Sequence, residues 1–98
     1  MTPAFEWDAP KAAENFKNHG VAFVEALTVF ADPLAHIFDD PDHSGDERRE
    51  LIIGQSIAQR LVLVSFTERG RRIRIISARP TTARERRDYE QANPKRPT

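Results

Sequence analysis

Arginines crowd one stretch of this chain and give it the chemistry of a phosphate-binding surface. Residues 69–87 hold eight arginines and one acid, Glu85. The arginine side chain is planar and can donate two parallel hydrogen bonds, so it fits the oxygens of a phosphate group. Because Arg74 and Arg79 flank an apolar strand segment, we interpret these two as the functional pair. The wider predicted surface consists of Arg71, Arg72, Arg74, Arg79, Arg84, Arg86 and Arg87.

The two halves of the chain carry opposite charge, although the formal net charge is zero. Residues 1–46 contain nine acids and two lysines, whereas residues 47–98 contain six acids and thirteen basic residues. Such asymmetry suggests a nucleic acid or an acidic protein as partner. The alternative is that the two halves pair their charges with each other at the surface.

A strand and a helix are predicted to position these arginines. Residues 71–78 alternate in polarity, which predicts a strand whose polar face carries Arg74. Arg79 comes just past the end of this strand, and a capping box at residues 82–85 opens a final helix. A strand end beside a helix N-terminus brings cations and backbone N–H groups together, which suits phosphate. For residues 84–87 taken alone, a solvated basic face is the stronger interpretation.

One face of the first predicted helix carries a second set of polar side chains. Lys11, Asn15 and His19 are spaced at i, i+4 and i+8, so they share one face, which is polar where Phe16 is apolar. Histidine titrates near neutral pH, so His19 could act as a general acid or bind a phosphate. The alternative is a histidine that binds the last carbonyl groups of its helix.

The predicted fold is an α+β domain in which helices pack on an antiparallel sheet. Caps, turn residues and apolar periodicity predict two helices near the N-terminus, about four antiparallel strands, and one helix near the C-terminus. Ala12, Ala13 and Phe16 give the first helix an apolar stripe. Residues 1–92 should form a single domain, and residues 93–98 a mobile tail. The predicted elements are a strand at about 5–7, helices at 9–19 and 22–30, strands at 35–38, 48–55, 60–67 and 71–78, and a helix at 83–92.

An acidic loop invites a metal-binding interpretation that its spacing does not support. It lacks the ligand spacing of a calcium-binding loop, and one histidine among loosely spaced carboxylates is a weak transition-metal site. We therefore interpret it as a solvated loop and expect neither a metal nor a cofactor. Arg48 and Arg49 follow it, and by alternation only one of them can face the sheet side that carries Arg74. The loop residues are Asp39, Asp40, Asp42, His43, Asp46 and Glu47.

Composition argues against several classes of protein. There is no cysteine, so neither a disulfide framework nor a thiolate zinc site can form. The first residues show no secretory signal, and no apolar run is long enough to span a membrane. We therefore expect a cytoplasmic protein with no membrane partner. The sequence also lacks a glycine-rich phosphate loop, a nucleophile elbow and a zinc-protease motif.

Several short motifs, taken in their order and spacing, resemble the BrnT family of toxins over about residues 5–90. The N-terminal part contributes Phe5-Glu6-Trp7-Asp8, then Lys11, Asn15 and His19-Gly20-Val21, followed by Val29-Phe30-Ala31-Asp32-Pro33. The C-terminal part contributes Asp42-His43-Ser44, Glu47-Arg48, Ile73-Arg74-Ile75-Ile76-Ser77-Ala78-Arg79, Glu85-Arg86 and Tyr89. One departure is Asn18, because the family usually has a cation before its His-Gly pair.

The resemblance implies a RelE-like fold and a ribonuclease toxin of a bacterial type II toxin–antitoxin system. It also implies a BrnA-type DNA-binding antitoxin as partner, in a heterotetramer that binds operator DNA through the antitoxin. Matched residue by residue, the resemblance marks Lys11 as a site residue, and its catalytic candidates are Arg74, Arg79, His19 and Arg48. Together with the arginine stretch, it gives the predicted substrate-binding residues Lys11, Arg72, Arg84, Arg86 and Arg87.

Metal-independent cleavage of RNA is our first hypothesis for these residues. The 2′-hydroxyl of RNA attacks the adjacent phosphate, arginines orient the strand and stabilise the added negative charge, and His19 moves protons. Glu47 or Glu85 could serve as the base if buried. The alternatives are a non-catalytic module that binds nucleic acid through the arginines, and a subunit whose basic surface only docks the antitoxin.

Overall fold

The computed structural model describes residues 4–40 and 48–92. The tail predicted at 93–98 lies outside these ranges. Within them, no helix is long and apolar enough to cross a membrane. The elements are β1 (Ala4–Glu6), α1 (Ala9–His19), α2 (Phe23–Ala26), a 3-10 helix (Leu27–Ala31), β2 (His36–Asp39), β3 (Glu50–Gln55), β4 (Leu61–Arg69), β5 (Arg72–Pro80) and α3 (Ala83–Ala92).

The strands of the described residues form one five-stranded sheet in the order β1-β5-β4-β3-β2. Neighbours from β2 to β5 pair antiparallel, and with the helices this confirms the α+β class. The predicted number of about four strands was too low, because β1 joins the sheet as a fifth strand. It pairs parallel with β5, which places Glu6 opposite Arg74. A strand of three residues carries too little pattern for its partner to be predicted from sequence.

The second helix is shorter than predicted and changes type. The α-helical turn α2 runs into the 3-10 helix at Leu27 instead of continuing as an α-helix to Phe30. Thr28 Oγ1 donates a hydrogen bond to Glu25 O at 2.6 Å, and a threonine hydroxyl bonded to the preceding turn distorts a helix. Thr28 and Val29 are also β-branched, which lowers helix propensity.

Helices cover both faces of the sheet. On one face, Tyr89 of α3 packs with Ile53, Leu61 and Leu63. On the other face, α2 and the 3-10 helix pack on β3, β4 and β5. Because β4 contributes to both clusters, it is the central strand that its apolar run predicted. The larger cluster consists of Val21, Phe23, Ala26, Val29, Ile52, Val62, Val64, Phe66, Ile75 and Ala78.

Helix α1 has the predicted ends but not the predicted buried face. Asp8 accepts a hydrogen bond from Lys11 N at 3.1 Å at its start. Gly20 ends it with a φ of 70°, the left-handed conformation that favours glycine. Phe16, however, is 57% exposed, and the buried residue of α1 is Asn15. The predicted apolar stripe was therefore wrong at Ala13 and Phe16, which are exposed, whereas Ala12 packs partly buried against the core; the buried contact of α1 is made by a polar side chain.

Candidate functional site

A β-bulge places Arg74 and Arg79 on the same face of the sheet. In the register with β4, Arg74 lies opposite Thr67 and Arg79 opposite Leu63, and residues four apart on a strand share a face. Arg74 and Arg79 are an odd number of residues apart and would face opposite ways on a regular strand. The one-residue register shift between β4 and β5 brings them to one face. Arg79 lies within β5, not past the strand end as predicted.

Glu6 of β1 is an acidic partner for both Arg74 and Arg72. Its carboxylate oxygens lie 3.1 Å from Arg74 Nη1 and 3.5 Å from Arg72 Nη1. The hydrogen bond from Arg74 is the main cause that lowers the pKa of Glu6, and Arg72 lowers it further. The two arginines on the polar face of β5 are therefore held by a carboxylate of the same chain.

Glu85 holds Arg79 with two hydrogen bonds. Arg79 Nη1 and Nη2 donate to the two carboxylate oxygens at 2.9 and 2.8 Å. Thr82 N donates to Glu85 Oε1 at 2.8 Å, and Glu85 N donates to Thr82 Oγ1 at 3.1 Å, which confirms the predicted capping box. The hydrogen bonds from Arg79 chiefly lower the pKa of Glu85, and the same contact raises the pKa of Arg79. Arg79 thus fastens the start of α3 to β5.

The arginines of α3 lie on its outer surface. Arg84, Arg86 and Arg87 are all exposed. Arg86 Nη1 lies 3.9 Å from Glu90 Oε2, one helical turn away. All three side chains are therefore solvated, and their predicted role in substrate binding stays a prediction.

The adjacent residues Arg48 and Arg49 go to different places. Arg48 Nη2 donates to both carboxylate oxygens of Asp39 at 2.9 Å, and the Arg48 side chain is 76% exposed. This hydrogen bond raises the pKa of Arg48. Arg49 is half-buried, and its side chain makes no hydrogen bond or ion pair with any residue that the structure describes. The predicted alternation required Arg48 and Arg49 to face opposite sides of the sheet. It did not indicate which of the two would line the candidate site.

A groove brings Arg49 beside the polar face of α1. It opens widely to solvent and has a volume of about 330 Å³. The prediction that Lys11, Asn15 and His19 share one face of the helix is confirmed, because all three line the groove. β5 contributes Ile76, the residue left without a partner by the bulge. The complete lining is Lys11, Glu14, Asn15, Asn18, His19, Arg49 and Ile76.

The basic side chains of this groove differ electrostatically from the arginines of β5. Lys11, His19 and Arg49 have no side-chain hydrogen bond or acidic partner in residues 4–40 and 48–92. Three unpaired basic groups around open space can bind an anion such as a phosphate. Glu14 lines the same groove as His19 and adds a carboxylate that can accept a proton. The groove therefore holds groups for both charge stabilisation and proton transfer.

Arg49 and Glu14 are the groove residues that sequence reasoning missed. Of the predicted catalytic candidates, His19 lies in the groove, whereas Arg48, Arg74 and Arg79 are not part of its lining. Of the predicted substrate-binding residues, Lys11 lines it and Arg72 lies on β5 beside Glu6. The alternation of side chains along the strand was the one sequence signal that could have indicated Arg49 as a site residue.

Of the acidic loop, the structure describes only the first residues, Asp39 and Asp40. Asp39 is the partner of Arg48. Asp42, His43, Asp46 and Glu47 fall outside the described residues. Among the residues that are described, no group of three or more histidine, aspartate or glutamate side chains is placed to hold a metal ion.

Comparisons with known proteins relate this chain to a toxin family. A family model described as "Ribonuclease toxin, BrnT, of type II toxin-antitoxin system" matches residues 7–85. The chain is also similar to the crystal structure of the Brucella abortus ribonuclease toxin BrnT, determined at 1.1 Å resolution. That match has a TM-score of 0.64 and 24% sequence identity, and it covers 83% of this chain and 99% of the other. At this identity the likeness shows a shared fold. None of the curated proteins compared with the chain matches it in sequence.

Proposed function

Because the chain belongs to the BrnT family of ribonuclease toxins from type II toxin–antitoxin systems, we propose that it is a RelE-like endoribonuclease that cleaves messenger RNA in the cytoplasm without a metal ion. The observation that carries the proposal is the groove in which Lys11, His19 and Arg49 meet without acidic partners among the described residues. This groove binds the scissile phosphate.

RNA supplies its own nucleophile in the proposed reaction. The 2′-hydroxyl attacks the adjacent phosphorus, and the 5′-oxygen of the next nucleotide leaves, so the products end in a 2′,3′-cyclic phosphate and a 5′-hydroxyl. Arg49 and Lys11 stabilise the extra negative charge of the phosphorane. Glu14 takes the proton of the 2′-hydroxyl, and His19 protonates the leaving oxygen. Glu85 is a poor candidate for the base, because its hydrogen bonds with Arg79 lower its pKa.

The arginines of β5 and α3 have supporting roles in this proposal. Arg74 and Arg79 would have to exchange a carboxylate partner for a phosphate before they could act in catalysis, so we place them second to the groove residues. Arg72 and the exposed arginines of α3 contact the RNA backbone at a distance from the scissile bond.

An antitoxin is the expected protein partner of a toxin from a type II system. We propose a BrnA-type DNA-binding antitoxin that forms a heterotetramer with the toxin and binds operator DNA. An acidic segment of the antitoxin would cover the groove, because charge complementarity favours that contact. Antitoxin and RNA then compete for the same groove residues.

The proposal is tested by incubating the purified protein with a short RNA and analysing the fragment ends. We expect cleavage that persists in EDTA, a 2′,3′-cyclic phosphate on the upstream fragment, and no cleavage of a 2′-deoxy substrate. Lys11→Ala should reduce cleavage at least tenfold. Lys17→Ala is the matched control, since Lys17 is an exposed lysine of the same helix outside the groove lining.

Three results would contradict the proposal. Cleavage that stops in EDTA would show a need for metal, and cleavage of the 2′-deoxy substrate would exclude attack by the 2′-hydroxyl. Equal activity of the Lys11→Ala and Lys17→Ala variants would place the phosphate outside the groove.

A further inference from the structure

The side chain of Asn15 closes part of the open edge of β5. β1 pairs with β5 only as far as Arg74, so the backbone beyond that point needs another partner. Asn15 Oδ1 accepts a hydrogen bond from Ala78 N at 3.1 Å, and Asn15 Nδ2 donates one to Ala78 O at 2.8 Å. The side-chain amide thus bonds Ala78 at two points, as the backbone of a neighbouring strand would.

A third hydrogen bond ties the same amide to the segment after α1. Asn15 Nδ2 also donates to Val21 O at 3.0 Å, so both of its donors and its acceptor are in use. If the amide were flipped, so that Nδ2 and Oδ1 exchanged places, the Nδ2 donor would face the N–H donor of Ala78. Asn15 is 7% exposed, and losing its side chain would leave buried backbone groups without partners.

Asn15 is also at the centre of the groove wall that α1 provides. Lys11 is one helical turn before it and His19 one turn after it, and all three line the groove. Phe16, the next residue along the helix, is 57% exposed, and Ala12, one turn earlier, packs partly buried against the core. The hydrogen bonds of Asn15 therefore set where Lys11 and His19 lie relative to Arg49.

We propose that Asn15 is a positioning residue of the RNA-cleaving groove: its hydrogen bonds to Ala78 hold α1 where Lys11 and His19 reach the same phosphate as Arg49. This inference rests on the function proposed above. In this role Asn15 acts by holding α1 in position, and its own side chain does not need to contact the RNA. A displacement of about 1 Å between reacting groups can reduce a rate on the order of 100-fold.

Two substitutions test this role. Asn15→Leu keeps a side chain of similar size but removes all three hydrogen bonds, and we expect kcat to fall about 100-fold with a smaller change in KM. Asn15→Asp sets a carboxylate against Ala78 O and Val21 O. Its neutral form can accept from Ala78 N and donate to Ala78 O, so we expect its activity relative to wild type to recover below about pH 5.

A control variant separates positioning from loss of stability. Thr28→Val removes the hydrogen bonds that Thr28 makes with Glu25 O and Ile57 N, at a site that does not line the groove. We expect it to lower Tm without lowering kcat. Hydrogen exchange at the Ala78 amide should be faster in Asn15→Leu and unchanged in Thr28→Val.

The outcomes distinguish this inference from the proposed function. If wild type cleaves RNA and a folded Asn15→Leu variant cleaves it equally well, the positioning role is wrong and the function stands. If Asn15→Leu does not fold, an Asn15→Asp variant without recovery at low pH overturns the role. If wild type cleaves nothing, the proposed function fails, and NMR signals of the His19 ring decide the positioning role. They should shift in Asn15→Leu and not in Thr28→Val, and unshifted signals in Asn15→Leu overturn it.

Discussion

Arg48 and Arg49 offer the sharpest test of the candidate site, because they are adjacent in sequence and differ in surroundings. Arg48 is exposed and bound to Asp39, whereas Arg49 is half-buried and lines the groove. Replacing either one by alanine removes the same charge and the same side chain. The two variants therefore have the same net charge and the same amino-acid composition, and they differ only in the position of the substitution.

The magnitude follows from what each guanidinium contacts. Removing one group that stabilises the charge of a transition state costs about 100- to 1,000-fold in rate, equivalent to about 2.7–4 kcal/mol. We therefore expect Arg49→Ala to lower kcat/KM by that factor. Arg49→Lys should lie between alanine and wild type, since lysine keeps the charge but loses the planar fork. Arg48→Ala should stay within about twofold of wild type, because an exposed ion pair contributes little.

The assay is single-turnover cleavage of one short RNA by all variants, with thermal unfolding curves to confirm that each variant is folded. The reasoning is refuted if Arg48→Ala loses as much activity as Arg49→Ala. It is also refuted if Arg49→Ala retains wild-type activity while folded. A loss of activity in Arg49→Ala that is accompanied by unfolding requires repeating the comparison with Arg49→Lys.

Three further predictions concern stability. Gly54→Ala should lower the free energy of unfolding by about 1–3 kcal/mol, because its Cβ would lie 2.9 Å from a neighbouring Cβ and 3.1 Å from Asp32 Oδ2; a urea curve identical to wild type would contradict this. Tyr89→Phe removes the 2.8 Å hydrogen bond to the same carboxylate and should cost about 0.5–1.5 kcal/mol in the same assay. The third prediction is loss of stability in acid: hydrogen bonds from Arg60 and Arg79 lower the folded-state pKa of Glu25 and of Glu85. The stability that these carboxylates contribute is therefore full above the unfolded-state pKa of a glutamate, about 4.3, and is lost as pH falls through the folded-state values. A urea midpoint that does not change between pH 6 and pH 3 would refute it.

Local features of the chain could be predicted from sequence because their causes are local. Asp8 and Gly20 mark the ends of α1 with their own side chain and backbone conformation. The capping box joins Thr82 and Glu85, which are three residues apart. The apolar run of β4 required burial on both faces, and both faces are covered.

Features that depend on distant partners could not be predicted in the same way. The bulge in β5 exists only in the register with β4, and it decides that Arg74 and Arg79 share a face. The buried face of α1 depends on the backbone of Ala78, which is 63 residues from Asn15. The spacing of apolar residues suggested Phe16 as the buried residue. Apolar spacing takes no account of a polar side chain that becomes buried by hydrogen bonding to a distant backbone.

Charge pairing changes the meaning of the arginine-rich stretch. Several acids of the first half bind arginines of the second half, as in Glu6 with Arg74 and Glu25 with Arg60. The alternative that the two halves pair their charges therefore accounts for part of the asymmetry. Arginine density alone is then a poor guide to a binding site, since many of these groups already hold a carboxylate.

The better guide is a basic side chain that the fold leaves unpaired beside open space. Lys11, His19 and Arg49 meet this condition within the described residues. A phosphate entering their groove displaces water, whereas a phosphate at Arg79 must also displace Glu85 from two hydrogen bonds. Breaking such a pair leaves a partly buried carboxylate without its partner, which is costly. The energetic difference therefore favours the groove, and it does so although only one of its three basic side chains is an arginine.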